Sequence, residues 1–146
     1  MKETKDFSLK DSLGYKLAMA SRLARNRVNT LLKDLDIPLT AEQRRILVLL
    51  NDQDGKWQRE IAEIVGIDEP SASRILNNLI REEYVIRKPD PSDHRKKRIF
   101  ITKKGRDILP IVIAQTEKVD EESYKGFTDE EIVVLNQLLE RITRNL

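Results

Sequence analysis

The chain reads as mainly α with a small β-hairpin, an α+β class, on three observations. Apolar residues recur at helical spacing at both ends. Only five Gly and five Pro appear in 146 residues, and most fall between about residues 36 and 110. Two short segments, Tyr84–Arg87 and Arg98–Ile101, flank a loop, Lys88–Lys97, rich in Pro, Asp and cations. That pattern predicts one hairpin between helical ends.

The first element is a helix over about residues 9–35, with an apolar line of Leu9, Leu13, Leu17, Ala20, Ala24, Val28, Leu31 and Leu35. The steps alternate mainly between three and four, as in a coiled-coil seam. Such a helix spans about 40 Å, too long for a small core to cover, so it is expected to pack against another subunit. Asp36-Ile37-Pro38 breaks it. Thr40 opens a second helix with Gln43 three residues on, a capping box, and Ile46, Leu47, Leu49 and Leu50 form its buried side. Asn51–Gly55 is a turn. Its two alternating Asp resemble the start of a calcium loop, but Lys56 and Trp57 stand where further acidic ligands belong. Trp57 is expected as a short strand beside the hairpin.

Gln58–Val65 predicts a short helix facing Ile61, Ala62, Ile64 and Val65 inward, ended by Gly66 as a left-handed C′ residue. A tight Gly66-Ile67-Asp68 connection leads to another helix, with Pro70 in its first turn and Ala72, Ile75, Leu76, Leu79 and Ile80 as its apolar stripe. The opposite face carries Pro70, Arg74, Asn77 and Arg81, edged by Ser71 and Asn78. After the hairpin, Thr102 caps a helix holding Ile108, Leu109, Ile111, Val112, Ile113 and Val119, interrupted in its bonding by Pro110. Gly126 ends it. Thr128–Glu131 is a further capping box, and the last helix is expected to bury Ile132, Leu135, Leu138, Leu139 and Ile142.

Helix, short turn, second helix with a polar outer face, then a basic hairpin is a winged helix-turn-helix. Charge supports it. Residues 74–106 hold 11 basic and 4 acidic groups, whereas the rest holds 16 basic and 21 acidic, so a net charge of +2 conceals a polarised molecule. One basic end on an acidic body is the footprint of a phosphate-backbone binder. The length fits a single chain-wide unit, 1–146. Within it, 36–102 is expected to read DNA, and 1–35 and 103–146 to form a dimerisation region with helices from both ends.

Other classes fit poorly. Apolar residues make up 39% and charged ones 36%, too apolar for disorder, and no apolar run reaches the ~18–20 residues of a membrane span. The N-terminal segment lacks the apolar core of a secretion signal. The absence of Cys leaves no disulfide, thiol redox sensor or Cys-ligated metal, and makes a cytoplasmic location the expectation. No nucleophile–base pair, metal cluster or phosphate-cradling Gly loop is present, so no enzyme activity, metal or cofactor is expected. RNA binding would call for more exposed aromatics than Tyr84, Phe100 and Trp57. A winged helix used only for protein contacts is the alternative, and it would favour an apolar face in place of Arg74, Asn77 and Arg81.

Gln58–Ile67, Ser71–Leu79, and above all the wing Asp90-Pro91-Ser92-Asp93-His94-Arg95 with Ile99-Phe100-Ile101-Thr102-Lys103-Lys104-Gly105 resemble the multiple antibiotic resistance regulator (MarR) family. The family's wing carries Asp-x-Arg and then a strand ending Leu-Thr-x-x-Gly. Asp93 and Arg95 match, while Ile101 replaces the Leu. The resemblance covers nearly the full length. It implies a homodimeric transcriptional regulator, typically a repressor, that binds double-stranded DNA at a palindromic operator and is often released by a small aromatic or amphipathic effector. Arg45 stands where many members carry an aromatic residue, so the pocket wall is expected to differ.

The candidate contacts follow. On the recognition helix Pro70, Ser71, Ser73, Arg74, Asn77 and Asn78 face the major groove. Arg74 suits a guanine O6/N7 pair and Asn77 an adenine N6/N7 pair, with backbone contact the plainer use of either. On the wing the candidates are Asp93, His94, Arg95, Lys96 and Lys97. The resemblance implies that Arg95 enters the minor groove while Asp93 holds its guanidinium. Lone His94, among cations, fits a phosphate or solvent contact better than a metal. Lys96, Lys97 and Arg98 are expected to meet phosphates.

Overall fold

The computed structural model describes residues 6–146. Residues 1–5, the start of the expected dimerisation segment, lie outside the described residues. A single 3-10 turn, Leu9–Asp11, precedes α1 (Leu13–Lys33), α2 (Ala41–Asp52), β1 (Lys56–Trp57), α3 (Gln58–Val65), α4 (Glu69–Arg81), β2 (Val85–Pro89), β3 (Lys97–Ile101), α5 (Lys103–Ser123) and α6 (Asp129–Asn145). The order is the one the sequence predicts.

The first helix differs in its start. Ser12 caps it, its hydroxyl accepting from the Tyr15 amide at 3.2 Å, and the turn before it winds separately. The second helix runs two residues into the expected turn, through Asn51 and Asp52. Its capping box is present in full: Thr40 N donates to Gln43 Oε1 at 2.9 Å and Gln43 N to Thr40 Oγ1 at 3.2 Å. The Thr128–Glu131 box closes in the same way. Gly66, at φ 77°, ends α3 in the left-handed region, which L side chains rarely adopt.

The three strands form one antiparallel sheet in the order β1-β3-β2. The hairpin is longer than expected, reaching Pro89 opposite Lys97, with Val85 opposite Ile101 and Arg87 opposite Ile99. Trp57 pairs with Arg98, as the short-strand expectation required. Val85, Ile99 and Ile101 turn inward onto Leu50, Ile61, Leu76 and Leu79. These, with Leu32, Ile46 and Leu47, form the core beneath α4. Each fully buried Leu or Ile contributes about 1.5–3 kcal/mol, so α4 sits on a well-packed base.

The end of β3 meets α5 through Thr102, whose hydroxyl donates to the Glu83 and Tyr84 carbonyls and accepts from the Gly105 amide. Gly105 is required there, since a Cβ would lie 2.4 Å from the Tyr84 carbonyl oxygen. At the far end, Arg27 of α1 donates to both oxygens of Glu122 on α5, at 2.9 and 3.0 Å.

Three burial expectations need correction. Ile64 faces outward at 56% exposed, because the core side of an eight-residue helix is filled by Ile61 and Ala62. Leu32, one place off the expected apolar line, is fully buried where α1 meets the central core. The last helix fully buries no residue within one chain, and Ile132, Leu135 and Ile142 of its expected apolar face are half-buried. Leu138 and Leu139 are exposed there, with Val133 and Val134, and so are Leu9, Leu13, Leu17 and Leu23 of the N-terminal segment.

Candidate nucleic-acid interface

The second helix of the helix-turn-helix is fixed at its N-terminus by Asp68, whose carboxylate accepts from the Ser71 amide at 2.7 Å and the Ser71 hydroxyl at 3.0 Å. These bonds hold the Asp68 carboxyl below its ordinary pKa. Ser71 is thus committed to the cap and is not a free donor to a phosphate. Pro70 lies exposed in the first turn, Ser73 is half-buried and Arg74 is exposed. Asn78 accepts from Arg81. Asn77 is exposed but engaged: its side-chain oxygen accepts from Arg87 Nη2 of β2 at 3.1 Å. The same Nη2 donates to Gln58 Oε1 at 3.3 Å. Sequence alone did not reveal this link between helix and wing.

The wing is organised by a residue outside the proposed contact set. Asp90 is 1% exposed. Its Oδ1 accepts from Ser92 Oγ at 2.6 Å, Ser92 N at 2.8 Å and Asp93 N at 3.3 Å. Its Oδ2 accepts from Arg98 Nε at 2.6 Å and Trp57 Nε1 at 3.0 Å. The Ser92 hydroxyl first, then the indole and the guanidinium, hold this carboxyl far below the usual carboxylate range. One ion therefore ties β1, β3 and the loop together.

Arg98, expected among phosphate-contacting cations, is a structural residue. Its second bond goes to the Gly55 carbonyl at 3.0 Å, because its β3 position faces Trp57 across the ladder. The Asp93 role also changes. Asp93 Oδ1 accepts from the Arg95 backbone amide at 3.1 Å; among the described residues it forms no ion pair with the Arg95 guanidinium. A two-residue separation closes an Asx turn more readily than it brings two side chains together. Asp93 thus positions the backbone at Arg95, not the side chain.

His94, Arg95, Lys96 and Lys97 are exposed. Lys96 Nζ lies 4.0 Å from the Trp57 ring centroid. Among the described residues none of Arg74, Arg95, Lys96 and Lys97 is in an ion pair. A rigid helix face and a braced loop therefore present uncompensated cations, the electrostatic requirement for a polyanion.

Asp54, the other acid of the apparent calcium loop, has a different task. Its Oδ1 accepts from the Ile101 amide at 2.9 Å and its Oδ2 from Arg106 at 3.1 Å.

The MarR family model matches residues 39–97, the span from the second helix through the wing. YybA of Bacillus subtilis (strain 168), an uncharacterized HTH-type transcriptional regulator, is 30% identical over 130 residues, covering 89% of this chain and 85% of that protein. The chain belongs to the MarR family of transcriptional regulators.

Solved relatives extend the likeness over most of the chain. The transcriptional regulator SlyA is 28% identical and superposes with a TM-score of 0.84, covering 92% of this chain and 93% of its own. The S. aureus MepR–DNA complex is 25% identical with a TM-score of 0.83, covering 92% and 98%.

In this MarR-family chain a cavity of about 540 Å³ lies between α1, α2 and α5, with Ala24, Val28, Arg44, Arg45, Leu49 and Val112 in its wall. Arg44 is 7% exposed and donates to Asn29 Oδ1 and the Leu39 carbonyl, both at 2.8 Å. Burial pushes its pKa down. A charge this deeply placed is not announced by its sequence neighbours; its periodic position among Leu and Ile was the only signal.

Proposed function

We propose that this chain is a homodimeric, double-stranded-DNA-binding regulator that uses α4 for the major groove and the wing for the flanking backbone and minor groove. The observation that carries the reading is the set of cations in no ion pair among the described residues, Arg74 on the helix and Arg95, Lys96 and Lys97 on the wing, standing on a buried scaffold. In this reading 36–102 is the DNA-reading region. The segments 1–35 and 103–146 dimerise, which gives the exposed Leu13, Leu17, Leu138 and Leu139 a partner. Pro70, Ser73, Arg74, Asn77 and Asn78 face bases or backbone, Ser71 shapes the helix start, and Asp93 orients the loop that offers His94, Arg95, Lys96 and Lys97.

The protein acts as a repressor at a palindromic site, in the cytoplasm and without catalysis. The cavity between the terminal helices and α2 takes a small aromatic or amphipathic effector. In its lining Arg25, Arg44 and Arg45 outnumber Glu117 and Asp120, which favours one that bears an anionic group. Effector binding there would bear on helices from both regions and so shift the spacing of the two recognition helices.

The test is fluorescence anisotropy with duplex and single-stranded probes across salt. Six to ten phosphate contacts per dimer predict a loss of about 10³–10⁵ in affinity between 50 and 200 mM salt. Preference for single strands, or affinity indifferent to salt, would refute the reading.

A further inference from the structure

Arg87 stands where the strand pattern calls for an apolar side chain. It lies two residues from buried Val85 and opposite buried Ile99, so it belongs to the inner face of the sheet. From there its Nη2 reaches Asn77 Oδ1 at 3.1 Å and Gln58 Oε1 at 3.3 Å, while its Nε is buried without a partner among the described residues.

A guanidinium has only donors. The amide atom that faces it must therefore be the oxygen, and both side-chain amides are turned oxygen-inward. The Asn77 amino group donates to no protein group among the described residues and is left to face outward. This polarity conflicts with the adenine pairing that an unconstrained Asn would make, because that pairing needs the oxygen and the amino group on the same outward edge. Turning the amide over would strip the shorter of the two Nη2 bonds from a guanidinium whose Nε already lacks a partner among the described residues. The loss is of the same order as the gain from a bidentate base contact.

We infer that Arg87 is a specificity-setting residue that works through Asn77, making the recognition helix present an amide donor that selects bases with a major-groove carbonyl, guanine or thymine, over adenine or cytosine. At the 6 and 4 edge positions guanine O6 and thymine O4 accept from the donor, where adenine and cytosine present an amino group that repels it; N7 accepts in both purines and does not discriminate, so the selection is made at that edge. This rests on the DNA-binding reading above and adds to it a residue without base contact of its own.

The experiment is selection from a randomised duplex library with the full-length protein and three variants, Asn77→Ala, Arg87→Met and Asn77→Asp. The base position read by Asn77 is the one whose preference disappears in Asn77→Ala. In the parent that position should favour guanine or thymine, by roughly tenfold. Arg87→Met frees the amide to turn, and adenine should rise at that position alone. Asn77→Asp keeps the Arg87 partner but removes the donor, so the carbonyl preference should vanish there even if Arg87→Met does not fold. A merely structural role for Arg87 would lower binding to all duplexes alike. Adenine or cytosine at that position in the parent, an unchanged preference in folded Arg87→Met, or no position sensitive to Asn77→Ala would each overturn the inference. Failure of the parent to enrich any duplex would overturn the DNA-binding reading beneath it.

Discussion

Asp93 offers a prediction in which two physical effects have opposite signs. Replacing it with Ala removes a negative charge from the wing, and electrostatics alone says DNA should then bind more tightly. At roughly 10 Å from a phosphate in water the relief is about 0.4 kcal/mol, and physiological salt screens it further. The same substitution removes the bond from the Arg95 amide to Asp93 Oδ1, 3.1 Å long, which holds the loop in an Asx turn. A bond of that kind contributes about 0.5–1.5 kcal/mol, and without it Arg95 must be ordered on binding. The positioning effect is larger, so Asp93→Ala should weaken duplex binding roughly two- to fivefold, a net of about 0.5–1 kcal/mol. Asp93→Asn separates the effects, since it removes the charge but retains an oxygen that accepts from the Arg95 amide. It should bind as tightly as the parent or slightly more so. The assay is anisotropy titration of a labelled duplex at fixed salt, with circular dichroism as a check on folding. If folded Asp93→Ala binds as tightly as Asp93→Asn, the positioning argument is wrong and the wing is a charge patch only.

Four further outcomes follow from the geometry. Gly105→Ala sets a methyl 2.4 Å from the Tyr84 carbonyl oxygen and 2.7 Å from Ile101 Cγ1. It should cost about 1–3 kcal/mol and lower the calorimetric Tm by roughly 3–10 °C; an unchanged Tm would contradict the packing described. Asp90 titrates below its unfolded value, so its contribution is complete above about pH 4 and is lost as pH falls toward its folded pKa. Denaturant melts followed by the fluorescence of Trp57, the single Trp, should therefore show the deficit of Asp90→Asn constant near neutrality and shrinking in acid, not growing. Arg74→Ala should cost about 1–3 kcal/mol and relax preference at one base position. Arg95→Ala should weaken many sequences together, most of all those with A·T-rich flanks, as read by library selection.

Local chemistry was legible in the sequence, and contacts distant in sequence were not. Thr40 with Gln43, Thr128 with Glu131, Thr102 ahead of Gly105, and Gly66 each solve a problem within four residues, and each does in the fold what its spacing predicts. Asp90 could not be read in this way. Its indole partner is 33 residues away, and in a loop already rich in Asp and cations it looks like one more solvated charge. Arg98 misleads for the same reason, since a charge run that looks exposed conceals a strand position against Trp57. Asn77 was correctly placed on the outer face, yet its partner Arg87 is reached only once the hairpin register is known. Ile64 shows the limit of periodicity in short helices. With only two turns, an apolar residue at the edge of the stripe can fall outside it.

The central claim is that two copies of α4 and two wings read one DNA duplex through a dimer built from the terminal helices. The most direct test is a hydroxyl-radical footprint on a library-selected duplex, with the stoichiometry of the same complex measured by sedimentation. The account predicts one dimer per duplex and two symmetric protected half-sites about one helical turn apart, both weakened together by Arg74→Ala. Protection of a single half-site by a folded monomer, or an undiminished footprint with Arg74→Ala, would contradict it.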